Sequence, residues 1–76
     1  MQWNKLTKKS MPPINETVLL WRGIRDSDGG FPCVAKHCRV NGEEYIRWRS
    51  YDELWQKLKP EEYRATRWAM IPKPEI

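Results

Sequence analysis

Phe31-Pro32-Cys33-Val34-Ala35-Lys36-His37-Cys38-Arg39-Val40, then Asn41-Gly42, then Glu43-Glu44-Tyr45-Ile46-Arg47-Trp48-Arg49 is the stretch that decides the fold. Asn-Gly between two strand-like runs specifies a two-residue type I′ turn, because both central residues need positive φ. A turn of that length leaves one register. Val40 then faces Glu43, Arg39 faces Glu44, Cys38 faces Tyr45, His37 faces Ile46, Lys36 faces Arg47, and Ala35 faces Trp48. Side chains alternate across a strand, so one hairpin face carries Cys33, Ala35, His37, Ile46 and Trp48, with an Arg39–Glu44 pair near the tip. That is the expected core side. Val34, Lys36, Cys38, Tyr45, Arg47 and Arg49 share the other face, which reads as wet and basic.

Upstream, Glu16 to Arg22 is apolar and β-branched enough for a strand, with Val18 and Leu20 opposite Leu19 and Trp21. Apolar residues on both of its faces place it near the middle of a sheet or under cover on both sides. Gly23 to Gly30 is loop, and Trp3 to Pro13 is a basic, turn-rich lead-in. Downstream, Ser50-Tyr51-Asp52-Glu53 matches a capping box. Tyr51, Leu54, Trp55 and Leu58 follow at helical spacing, so a short helix is expected there. Pro60 ends that helix or begins the next turn, and residues 61–64 fit either a second helical turn or a loop. Thr66 to Ile71 alternates as a last strand, and Pro72-Lys73-Pro74 stops the pairing. The expected fold is α+β and mostly β: an antiparallel sheet of three to four strands, SH3-like and partly closed, with one short helix.

Seventy-six residues make one small domain, 1–76. Dinucleotide-binding doubly wound sheets and TIM barrels need far more chain. Five Trp, three Tyr and one Phe supply the bulk that so small a core requires. Fourteen Lys and Arg against ten Asp and Glu leave a net charge of +4, with the two signs interspersed along the chain. Such a balance permits a nucleic-acid partner without demanding one. Val18-Leu19-Leu20-Trp21 is the longest apolar run, far short of the ~20 residues that span a bilayer, so no membrane role is expected. The N-terminus shows no apolar export signal, and the expected location is the cytoplasm.

Cys33 and Cys38 stand an odd number of residues apart on one strand, so their side chains diverge and a disulfide is not expected. Together with His37 they give three metal-ligand types split between two faces, where zinc wants four converging ligands; no cofactor or metal is expected. A packed thiol, an exposed thiol at Cys38 and a hydrogen-bonded histidine is the simpler reading. Asp26 and Asp28 before Gly29-Gly30 suit a turn, because a calcium loop would need a Glu where His37 stands. Lys36, Tyr45, Arg47 and Arg49 are the candidate binding residues. Lys36 and Arg47 lie directly opposite, a destabilising pair of like charges unless the face meets phosphates or acidic side chains, with Tyr45 ready to stack. Ordinary solvated charge is the competing account. All five Trp read first as core, with Trp3 and Trp55, near element ends, next in line as binding anchors.

Trp3, Pro12-Pro13, Val18-Leu19-Leu20, Trp48 and the closing Thr66-Arg67-Trp68-Ala69-Met70-Ile71-Pro72-Lys73-Pro74 resemble the domain-of-unknown-function family 551, small proteins found largely in phages and prophages. Members usually have His before the closing Trp and Pro two residues after it; Arg67 and Met70 stand here. The resemblance implies a phage context and no established activity. The first functional expectation is a non-enzymatic phage or prophage accessory protein that binds a host macromolecule, a protein foremost. The alternative is a module binding nucleic acid or a nucleotide, including a nucleotide-signal sponge in anti-defence, through the basic hairpin face.

Overall fold

The hairpin forms as its turn dictates. Strands β3 (Gly30–Val40) and β4 (Glu43–Arg49) pair in the expected register, from Ala35 opposite Trp48 to Val40 opposite Glu43. Asn41 and Gly42 take φ values of 53° and 80°, as a type I′ turn needs. The structure, a computed structural model, describes residues 2–24, 27–51, 54–72 and 74. Around the hairpin stand β1 (Asn4–Lys5), β2 (Thr17–Gly23), β5 (Trp55–Leu58) and β6 (Thr66–Met70), with a 3-10 helix at Pro60–Ala65. All pairings are antiparallel, in the order β1-β6-β2-β3-β4-β5.

Six strands correct the expected fold. The sheet has neither three nor four strands, no α-helix lies among the described residues, and β1 and β5 stand at opposite ends of the order rather than closing an SH3-like barrel. The mostly-β character holds. The decisive change falls on the segment expected as a helix. Trp55-Gln56-Lys57-Leu58 pairs with β4, from Arg49 opposite Trp55 to Ile46 opposite Leu58. Without β5, the outer edge of β4 would leave a row of backbone donors and acceptors unpaired. That ladder outweighs the helical spacing, although Trp-Gln-Lys-Leu has no apolar–polar alternation of its own. Of the expected helical stripe only Leu58 is buried; Tyr51 is fully exposed and Leu54 largely so. Asp52 and Glu53 of the capping box lie outside the described residues. Residues 60–65, between helix and loop on sequence grounds, form the 3-10 helix, with Pro60 in its first turn where a missing N–H costs nothing.

The core lies on one side of the sheet. Val18, Leu20, Cys33, Ala35, Ile46, Trp48 and Leu58 pack there, with Leu6 and Tyr63 over them and Met11 and Trp68 at the margin. Residues 6–15 cross this face from β6 to β3. Leu6 N–H donates to Thr66 O (3.1 Å), Trp68 Nε1 to Ser10 O (3.1 Å), and Asn15 N–H to His37 O (2.8 Å). Buried His37 adds Nδ1 to Pro12 O at 2.7 Å; a carbonyl only accepts, so Nδ1 carries the proton. Asn15, at φ 64°, turns the chain into β2 in the left-handed region that Asn tolerates. At the other end of β2, a Cβ on Gly23 would stand 1.8 Å from Ala65 O, so the 3-10 helix packs tightly only against glycine.

Candidate functional site

The register of the whole sheet sorts the charges, because cross-strand partners share a face. On the side away from the core, Thr17, Lys36, Arg47 and Lys57 form one row across β2, β3, β4 and β5. Ala69, Leu19, Val34, Arg49 and Trp55 form the next, and Lys5, Arg67, Trp21 and Pro32 a third. Cys38 with Tyr45, and Val40 with Glu43, complete the face toward the hairpin tip. Its strand cations are Lys5, Lys36, Arg47, Arg49, Lys57 and Arg67. The strands hold two acids in all, Glu43 and Glu44, and only Glu43 points this way, at the tip, where it accepts from Lys57 Nζ at 2.9 Å.

The core side treats its charges differently. Arg22 is ion-paired with Glu62 and stacked on Trp48, its guanidinium carbon 4.7 Å from the ring centre. Arg39 Nε donates to Glu44 at 2.9 Å, as the hairpin register predicts. His37 Nε2 comes within 3.3 Å of Glu44 Oε2 without the alignment of a hydrogen bond. The Arg39 hydrogen bond holds the Glu44 carboxyl below its usual range, against a smaller opposing effect of desolvation. Burial pushes the Cys33 thiol up to about 11, with Arg22 pulling weakly the other way. Charges that alternate along the chain are therefore segregated in space. Strand alternation hid that separation in the sequence.

Aromatic rings lie among the open-face cations. Arg47 and Arg49 place their guanidinium carbons 5.0 and 5.2 Å from the Trp55 ring centre, and Lys57 Nζ lies 4.6 Å from that of Tyr45. Such contacts offset part of the repulsion along the row Lys36–Arg47–Lys57. Farther across the sheet, Trp21 packs edge-to-face with Trp3, ring centres 6.4 Å apart. The Trp21 ring also covers Gly30, where a Cβ would meet its Nε1 at 2.5 Å. Two depressions open on the face. One, of about 440 Å³, is walled by Tyr45, Arg47, Trp55, Lys57 and Glu43; the other, of about 630 Å³, by Trp21, Arg67, Arg64 and Asp28.

All four candidate residues, Lys36, Tyr45, Arg47 and Arg49, stand together on this face. Trp55, second in line as a binding anchor on sequence grounds, joins them, as do Lys57, Arg67, Trp21 and Lys5, which sequence reasoning missed as site residues. For Lys57 no local strand signal existed, since Trp-Gln-Lys-Leu has helical spacing and no alternation. Two further expectations are corrected. Trp21 is half-buried on the open face rather than in the core, and Trp3 and Trp55 are 39% and 37% exposed. Cys38, expected as the exposed thiol, is buried, with its Sγ 3.7 Å from Lys36 O. Cys33 and His37 face the core and Cys38 the opposite side; among the described residues no three His, Cys, Asp or Glu side chains gather around a metal position. No helix among them is long and apolar enough to cross a membrane.

The residues behind the family resemblance mostly lie elsewhere. Pro12, Val18, Leu20 and Trp48 are buried, and Trp68 packs against the core. Those residues build the fold, while Leu19, Arg67 and Ala69 lie on the open face and Trp3 packs against Trp21 there. No family model, no curated protein and no solved structure matches this chain.

Proposed function

We propose that the protein is a binding module without catalytic function, and that its open sheet face binds nucleic acid. One observation carries this reading: among the described strand residues, six cations share a face with one carboxylate, Glu43, in a chain whose whole net charge is only +4; off the strands, Asp28 borders the second depression. Three of them, Lys36, Arg47 and Lys57, stand in one row across neighbouring strands, roughly 5 Å apart. Like charges so placed are destabilising in the free protein, and a polyanion relieves them. The same sorting counts against a host protein, the partner first expected. Protein interfaces are depleted in Lys and in charge at their centres, where this face concentrates both.

The test is a salt titration of binding to a labelled oligonucleotide, with wild type and the Lys36→Gln/Arg47→Gln double variant. Affinity should fall steeply with salt, and each phosphate contact removed should flatten the log–log slope by about 0.7–0.9. A double variant that binds with wild-type affinity and slope would return the face to ordinary solvated surface.

A further inference from the structure

We infer that the ligand of this face is a single strand, its bases stacked on two separate aromatic seats, Trp55 and Trp21. The inference rests on the nucleic-acid reading above and deepens it. Phosphate contacts alone do not distinguish a duplex from a single strand, since both present the same charged backbone. The rings do. A base offers its face to a tryptophan only when it is unpaired and unstacked, so aromatic platforms among cations belong to single-strand surfaces.

Each seat has the parts such a platform needs. Trp55 stands on edge strand β5 in the first depression, with Arg47 and Arg49 against its ring and Lys57 beside Tyr45. Trp21 stands on β2 in the second depression, held by Trp3 and backed by Gly30, with Arg67 directly opposite it on β6. Side-chain freedom is lost on binding, and these rings are already constrained by their neighbours, so less remains to be lost. Between the seats run β3 and β4, where Arg49 and Val34 share the row of Trp55 and Pro32 that of Trp21; Lys36 and Arg47 flank the path one row farther from Trp21. Three strand spacings separate β2 from β5, roughly 14 Å, which a strand of about two to four nucleotides covers. The guanidinium groups that rest on Trp55 in the free protein sit within reach of the phosphates on either side of a base stacked there. Binding thus exchanges a cation–ring contact for a base–ring contact and frees a cation for the backbone.

Affinities are compared for a twelve-nucleotide single strand and for the same sequence as a duplex, at equal phosphate concentration and low salt, with tryptophan emission followed in parallel. Single-strand binding should be about tenfold tighter or more and should quench the emission. Trp55→Ala and Trp21→Ala should each weaken it by about fivefold to a hundredfold, with duplex binding nearly unchanged. Trp55→Tyr, which keeps a ring, should restore most of the loss. Trp55 lies exposed on an edge strand, so its variants carry the test even where Trp21→Ala unfolds the chain. A duplex bound as tightly as the single strand, or single-strand affinity indifferent to Trp55→Ala, overturns the inference and leaves the nucleic-acid reading standing. Failure of both oligonucleotides to bind at low salt removes both readings and points to an acidic protein.

Discussion

The two faces of one sheet solve the same problem in opposite ways. On the core side each charge has a partner: Arg22 has Glu62 and the Trp48 ring, and Arg39 has Glu44. On the open side Lys36, Arg47 and Lys57 stand in a row, and among the described strand residues the one acid with that orientation is spent on Lys57 at the tip. Stability explains the part-buried Arg22–Glu62 pair, because poorly solvated charge must be matched, while the exposed Arg39–Glu44 pair follows from the hairpin register. Neither explains the open-side arrangement, which weakens the sheet and whose rings stay in contact with water. The contrast teaches where to look for function: on the face whose charges the fold itself leaves unanswered.

The largest expected difference between the faces is in stability. Leu20→Ala or Ile46→Ala removes a fully buried side chain and should cost about 2–5 kcal/mol by denaturant unfolding. Arg47→Gln on the open face should cost almost nothing. Comparable losses on both sides would mean that the open face is structural, and the contrast would collapse.

Gly23→Ala probes the close contact between β2 and the 3-10 helix. Its new Cβ would fall 1.8 Å from Ala65 O, a backbone atom, so β2 or the 3-10 helix must move, at a cost of roughly 1–3 kcal/mol. Gly30→Ala, at its cross-strand partner on the same face, meets the Trp21 ring at 2.5 Å and Arg22 O at 2.8 Å, a milder backbone contact, and a half-buried ring swings away more easily. It should cost less and alter Trp21 emission, which Gly23→Ala should leave in place. Equal losses for the two variants would show that Trp21 is held as firmly as the 3-10 helix.

How much of this was legible in the sequence depends on the range of the signal. Asn41-Gly42 is a local instruction, and the register it sets is present pair for pair. It also placed Lys36 opposite Arg47 and so located the centre of the face. Trp55 to Leu58 suited a helix by its spacing from Tyr51 and a strand only by what lay beside it, since Trp-Gln-Lys-Leu does not alternate. The choice between them was made by the free edge of β4, a long-range fact. Strand β1 has two residues and no pattern to recognise; Asn4 and Lys5 are strand only because β6 lies beside them. With β1 and β5 missed, Lys5, Trp55 and Lys57 had no face to be assigned to. Charge sorting was then visible only across the hairpin, and the net +4 looked evenly spread.

Alkaline pH should act on the core side. Below the ordinary thiol value of 9.0 Cys33 is protonated whether the chain is folded or not, and its contribution is fully present. Between there and about 11 the unfolded chain releases the proton and the folded chain keeps it, so stability falls as pH rises. Tyr63, also pushed up by burial, adds to the loss in the same direction. Unfolding midpoints for wild type and Cys33→Ala should converge as pH is raised from 8 to 10.5, because only wild type carries the Cys33 slope. A constant gap between them would show that Cys33 is not held protonated by the fold.

The smallest effect is the sharpest test of the comparison, because its sign is unusual. Most substitutions in a folded protein destabilise it. Lys36→Gln, in the middle of the cationic row, removes a charge opposite Arg47 and keeps the length of the chain along the sheet. Arg47→Gln relieves two neighbours, Lys36 and Lys57, but gives up one of the contacts to Trp55. Lys36→Gln should therefore raise stability by a few tenths to about 1 kcal/mol, and Arg47→Gln by less. The gain should shrink in high salt, which screens exposed charges beyond about 3 Å at 1 M. Binding should move the other way, each variant losing affinity for the oligonucleotide while the fold holds or improves. Stability gained and binding lost at one residue is the signature of a side chain kept for its partner. A Lys36→Gln protein that loses stability at both low and high salt would instead make Lys36 a packing residue, with its stem and not its charge holding the sheet.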